Sequence, residues 1–192
     1  MDNLLNLIYV LGKNIGNPLT LRQLSKDAAV PYTTASRLIK QRGELFILEK
    51  KGSAILCSIN LKDRIAASYL ALAERKKADD FCRSNREISV IRTDLPEGDY
   101  AAVLFGSRAA EKHRKESDID ILVINKDGRK NLSFSKHGML FRLKINPLFM
   151  SIGEFGHMLE EKGHNLADEI IKNHIVLHGE EYFWRIIFEH GF

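Results

Sequence analysis

Leu4, Leu5, Leu7, Ile8 and Leu11 recur at three- and four-residue spacing and predict a helix ending around Gly12 to Gly16. Thr20-Leu21-Arg22-Gln23 has the form of a capping box, so a second helix starts there with Leu21, Leu24 and Ala28 inward. Val30-Pro31 breaks it. A third helix is expected over Tyr32–Gln41, burying Ala35, Leu38 and Ile39. Its other face would show Thr33, Thr34, Ser36, Arg37 and Lys40. Residues 45–48 and 54–59 read as two strands of a hairpin, joined at Glu49-Lys50-Lys51-Gly52-Ser53. Residues 61–83 form a long amphipathic segment with Ile65, Ala66, Tyr69, Leu72 and Ala73 on one stripe. Its Glu74-Arg75-Lys76-Lys77 cluster reads as a solvated face. A short helical run carrying Ile88 and Ile91 stops before Pro96-Glu97-Gly98.

The pattern changes in the second half. Residues 101–105 are a short, nearly all-apolar run ending at Gly106, the profile of a buried strand. Another run, Ile119 to Ile124, is preceded by Ser117 and Asp118 and interrupted only by Asp120. Side chains alternate across a strand, so Asp118 and Asp120 share one face, roughly 7 Å apart along it. Ile119 and Ile121 point the other way, into a core. A further strand is expected over 140–150, then a helix opened by the Ser151-x-x-Glu154 capping box and carrying Phe155, Met158 and Leu159. A closing strand and helix follow Ile175-Val176-Leu177-His178-Gly179. The stripe Phe183, Trp184, Ile187 and Phe188 belongs to a core.

Chemistry concentrates where the apolar runs meet polar residues. Gly106 tolerates positive φ and close approach by a ligand, and Ser107 offers a hydroxyl and an N–H at a helix start. Two carboxylates as close as Asp118 and Asp120 repel unless a cation sits between them, and hard oxygen ligands suit Mg²⁺. An apolar strand, Gly106-Ser107, a helix, then Ser117-Asp118-Ile119-Asp120-Ile121 resembles the DNA polymerase beta-type nucleotidyltransferase superfamily and, within it, the minimal nucleotidyltransferases. The resemblance covers about residues 95 to 192. It implies that Asp118 and Asp120 are the catalytic acids and bind Mg²⁺, and that Gly106, Ser107, Arg108 and Ser117 hold a nucleoside triphosphate. Where family members often have Ala-Arg-Gly after Gly-Ser, this chain has Arg108-Ala109-Ala110-Glu111; Arg114 and Lys115 are alternative sources of positive charge. Active members usually add a third carboxylate on the next strand. Residues 140–150 contain no acid, and Asn146 is the nearest neutral counterpart. Asp127 lies in an Asn-Lys-Asp-Gly turn.

The first half has a different character. Helix, turn, helix and a hairpin with a basic tip resemble the winged helix-turn-helix family. The resemblance implies that Thr33, Thr34, Ser36 and Arg37 face bases in the major groove of double-stranded DNA, while Lys40, Lys50 and Lys51 contact phosphate. Charge agrees: residues 1–92 carry 16 Lys and Arg against 9 Asp and Glu, or +7, and residues 93–192 carry 13 against 16, or −3. The expected organisation is therefore α/β of the α+β type. A winged helix-turn-helix domain fills 1–60 and a helical linker 61–95. A nucleotidyltransferase-like domain with a mixed sheet and flanking helices fills 96–192.

Composition bounds the rest. The chain has 192 residues and is 44% hydrophobic, enough for packed cores. Its mean hydropathy is −0.21 and no 18-residue apolar run is present, so no membrane association is expected. The acidic start Met1-Asp2-Asn3 does not resemble a signal peptide. Cys57 and Cys82 read as reduced thiols, which points to the cytoplasm. His174 and His178 flank a strand and read as structural.

These expectations combine into an enzyme that transfers a nucleotide from a nucleoside triphosphate to a hydroxyl acceptor, attached to a DNA-binding head. The alternative is a regulator that has lost catalysis and binds nucleotide or a protein. The minimal family's antitoxin-type members imply a small helical protein as that partner. The alanine-rich stripe of 61–83 would suit a homodimer on a palindromic operator.

Overall fold

In a computed structural model, residues 2–110, 117–161 and 165–190 are described. The chain divides into two compact units, Met1–Ala73 and Glu74–Phe192, with the boundary inside one long helix.

In the first unit, α1 (Asp2–Lys13), β1 (Leu19–Thr20), α2 (Leu21–Asp27), α3 (Tyr32–Gln41), β2 (Phe46–Lys51) and β3 (Ala54–Ile59) precede α4 (Arg64–Ser84). The strands form an antiparallel sheet of order β1-β3-β2. Leu7, Ile8, Leu24, Ala35, Ile39, Leu45 and Cys57 fill the core. The Thr20 capping box opens α2 as expected, with both reciprocal bonds formed. α2 stops at Asp27, ahead of Val30-Pro31. There the Ser25 hydroxyl donates to the Val30 carbonyl at 2.6 Å, and Ala29 takes φ of 51°. Leu38 is only half-buried. The hairpin is tighter than the five-residue connection implies: β2 runs to Lys51 and pairs with Ala54, leaving Gly52 and Ser53 as the turn. β1 had no sequence signal, because two residues are too few to show alternation.

In the second unit, α5 (Arg86–Thr93), β4 (Tyr100–Phe105), α6 (Gly106–Ala109) and β5 (Ile119–Asn125) come first. Then follow α7 (Ser135–Phe141), β6 (Ile145–Ser151), α8 (Ile152–Glu160), α9 (Leu166–Lys172), β7 (Ile175–His178) and α10 (Glu180–His190). The sheet order is β6-β5-β4-β7. β5 and β6 run parallel, while β4 is antiparallel to both β5 and β7. One face, with Ala102, Leu104, Ile119, Ile121 and Val123, packs with Ala78, Phe81, Ile88 and Ile91 of α4 and α5. Val103, Leu122 and Ile124 alternate onto the other face; α8 packs on β5 and β6, and α10 on β4. Burial on both sides explains why the two central strands are almost wholly apolar.

Three expectations change here. The strand expected over 140–150 begins at Ile145, because Leu140 and Phe141 close α7. Arg142 adopts φ of 53°, and the Leu143 N–H donates to the Gly138 carbonyl at 3.1 Å. That left-handed stop is usually made by glycine, so arginine gives no warning of it. The α4 stripe is also different: Ile65 and Leu72 are exposed, and the buried positions include Ala66, Leu70, Ala73, Ala78 and Phe81. Its later residues, Ala78 and Phe81, join the core of the second unit. Glu74, expected on a solvated face, is 1% exposed and accepts from His174 Nε2 at 3.1 Å. His174 Nδ1 faces the carbonyls of Ile170 and Ile171 at 2.8 and 2.9 Å.

Gly179 lets the chain turn from β7 into α10. Its φ is +73°, and a Cβ there would lie 2.0 Å from the Tyr100 carbonyl oxygen, so no other residue fits.

Candidate active site

Three strand ends converge. Phe105, the last residue of β4, pairs with Asp120, and Asp120 pairs with Asn146 of β6. The Ile119 N–H donates to the Lys144 carbonyl at 2.9 Å, which extends the pairing one step before β6 begins. Asp118 and Asp120 therefore lie at the start of β5, on the face shared with Leu122 and Ile124.

Gly106 backs this row. Its φ is +72°, and a Cβ would lie 2.7 Å from Asp120 Oδ2. Glycine is required here twice over, by backbone conformation and by the carboxylate against it. The chain then makes one turn of helix, α6, with Ser107 exposed at its start.

The carboxylates are held by neighbours on β6 and just ahead of it. Asn146 Nδ2 donates to Asp118 Oδ2 at 3.1 Å and to Asp120 Oδ1 at 3.0 Å. Lys144 Nζ donates to the same Asp118 Oδ2 at 3.2 Å. The Asn146 amide first, and then Lys144, hold the Asp118 carboxyl below its ordinary range. Both carboxylates face this one nitrogen, so they converge on a common point. With the cradle that a Cβ at 106 would fill, the two acids fit a hard cation such as Mg²⁺ as a partial ligand set. No group of three or more His, Cys, Asp or Glu side chains suited to a metal occurs among the described residues. The remaining coordination positions would fall to water, phosphate or the Asn146 amide oxygen.

Residues 100–182 match the family model described as Polymerase beta, Nucleotidyltransferase. The match supports a nucleotidyltransferase-like domain over that segment. A search of curated proteins and a search of solved structures each returned no match. Nucleotidyltransferase domains generally use Mg²⁺, in keeping with the chemistry of the Asp118 and Asp120 pair.

The other expected site residues divide. Arg108, expected among the nucleotide-binding residues, is 1% exposed and lies behind the row. Its Nε donates to the Ser117 carbonyl at 2.9 Å and its Nη1 to Glu87 at 2.7 Å. It ties the start of β5 to α5 within the nucleotidyltransferase unit. Its burial places the charge under the site, where it still helps hold Asp118 ionised. Ser117 is half-buried beside Asp118. Arg114 and Lys115 lie outside the described residues. Glu154 caps its own helix, donated to by the Ser151 backbone at 2.7 Å, and Asp127 lies in a turn after β5.

In the first unit, Thr33, Ser36, Arg37 and Lys40 line one concavity of about 480 Å³ with Tyr32 and Gln41. Thr34 is half-buried outside that lining, and Lys50 and Lys51 are exposed at the end of β2. Lys144 was missed by sequence reasoning. Its one signal is position: it stands two residues before Asn146, and so on the same side of an extended chain. No described helix is long and apolar enough to cross a membrane.

Proposed function

We propose that the nucleotidyltransferase domain binds a nucleoside triphosphate with Mg²⁺ and transfers its nucleotidyl group to a hydroxyl acceptor. The observation that carries this reading is the row of Gly106, Asp120, Asn146 and Asp118 at three converging strand ends. Asp118 and Asp120 would hold the Mg²⁺, and Ser107 and the turn at Gly106 would face the triphosphate. Bound there, the metal supplies positive charge to the phosphoryl group during transfer. The acceptor oxygen forms a bond to the α-phosphorus as the bond to pyrophosphate breaks, and the hydroxyl proton leaves to solvent. Asn146, bonded to both carboxylates, fixes the separation of Asp118 and Asp120.

A second reading follows from Asn146 itself. It stands beside the acids but has no basic atom to take the acceptor's proton. That favours a nucleotide-binding regulator with weak or no turnover, including an antitoxin-type protein with a small helical partner. Under either reading the first unit is a winged helix-turn-helix head that binds double-stranded DNA in the cytoplasm. The α3 concavity would provide Thr33, Ser36 and Arg37 to base edges, with Thr34 beside them. Lys40, Lys50 and Lys51 would meet phosphate. A homodimer would suit a two-fold operator.

Incubation with Mg²⁺ and each α-labelled nucleoside triphosphate separates the two readings. Label transfer lost at least about 100-fold in both Asp118→Ala and Asp120→Ala supports the enzyme. Metal-dependent nucleotide binding without transfer supports the regulator. Absence of both rejects the nucleotide site. For the head, a mobility shift on duplex DNA should weaken with salt and with Arg37→Ala. Migration unchanged by any duplex, including the protein's own upstream region, rejects DNA binding.

A further inference from the structure

Asp118 Oδ2 accepts two hydrogen bonds, from Lys144 Nζ at 3.2 Å and from Asn146 Nδ2 at 3.1 Å. A carboxylate oxygen offers about two acceptor positions, so this atom is fully occupied by the chain's own donors. A cation approaching Asp118 through Oδ2 must displace one of them. Asn146 is the harder to move: its amide also bonds Asp120, and its backbone is paired in β6. Lys144 is the easier. Its side chain is 71% exposed and its ammonium has a long flexible stem. Leaving Asp118 costs Lys144 a charge-assisted bond, unless another anion takes its place.

We propose that Lys144 is a resident counter-ion that competes with the divalent cation for Asp118 and moves to the triphosphate when nucleotide binds, so that metal and nucleotide bind cooperatively. This rests on the nucleotide site described above and adds its regulation. Without nucleotide, Lys144 and Asn146 together relieve the repulsion of the two acids, and metal binds weakly. With nucleotide, the phosphate oxygens receive the ammonium and Asp118 Oδ2 is released to the metal. Linkage makes the effect reciprocal: metal strengthens nucleotide by the same factor that nucleotide strengthens metal.

The test is a Mn²⁺ titration read by electron paramagnetic resonance, with and without a non-hydrolysable nucleoside triphosphate, on wild type, Lys144→Met, Lys144→Arg and Asp118→Asn. Lys144→Met is expected to bind Mn²⁺ alone at least about fivefold more tightly than wild type. Nucleotide should then strengthen its Mn²⁺ binding by a smaller factor than in wild type, while Lys144→Arg follows wild type. Lys144→Met binding Mn²⁺ alone no more tightly than wild type overturns the proposal. So does a tighter Lys144→Met whose gain from nucleotide is unchanged, because that is the signature of lost charge without competition. Mn²⁺ binding indifferent to Asp118→Asn overturns the site reading itself, and the proposal with it. Circular dichroism on each variant verifies the fold, which an exposed side chain at 144 leaves intact.

Discussion

Gly106 shows how one residue can be demanded by both backbone and site. Replacing it with alanine puts a methyl group 2.7 Å from Asp120 Oδ2 while holding φ at +72°. Gly106→Ala should lower stability by about 1–2 kcal/mol from the left-handed backbone alone. It should also weaken metal-dependent nucleotide binding by pushing Asp120 aside; thermal denaturation and a binding titration read the two effects separately. The thiols give another residue-scale expectation. Burial pushes Cys57 up to about 12 and raises Cys82 as well, so neither thiolate is populated near neutrality. A thiol-reactive dye at pH 8 should label both slowly in the native protein and rapidly in denaturant; fast native labelling of Cys57 would place it outside the core. Such residues were legible to different degrees. The glycine and the two acids are marked by their own chemistry. Lys144 and Arg108 are not, because what each touches depends on where the chain returns.

At the scale of elements, the sequence was most informative where one short segment satisfies itself. The Thr20 and Ser151 capping boxes and the full span of α3 needed only their own residues. It was least informative where an element answers to another far away. Glu74 lies among charged neighbours on α4, yet it meets His174, one hundred residues on, with 1% and 0% exposure. His174→Ala removes one member of a buried pair and should destabilise the second unit by about 3–5 kcal/mol, measured by chemical denaturation. A loss under about 1 kcal/mol would mean that the pair is solvated. A pH effect belongs to the contact between the end of α5 and α7. Asp94 is hydrogen-bonded by His137 at 3.0 Å and Lys136 at 3.3 Å, and those partners, His137 first, lower its pKa. A depressed carboxyl stabilises the fold in full above its unfolded value of about 3.9, and that contribution is lost as pH falls through the folded value. Asp94→Asn should therefore shrink the stability difference between neutral and strongly acidic solution. An acid-unfolding curve identical to wild type would remove this contact from the account.

The whole molecule combines two compact units, one built on a three-stranded sheet and one on a four-stranded mixed sheet. Ligand that binds a folded unit stabilises that unit by mass action. Calorimetry with Mn²⁺ and a non-hydrolysable nucleotide should raise the transition of the nucleotidyltransferase unit and leave that of the first unit in place. A duplex bound by the proposed DNA-binding head should do the reverse. The sequence by itself determined the local matters: amphipathic faces, capping boxes, the apolar strands β4 and β5, and the glycine and acids of the candidate site. Each is set by residues within a few positions of one another, where spacing and side-chain chemistry act directly. Only the tertiary structure decided that Asn146 would bridge both carboxylates, that Lys144 would sit on Asp118, and that Arg108 would turn inward to Glu87. Those contacts join residues two dozen or so positions apart. They follow from strand order and register, which a linear pattern of apolar positions does not specify.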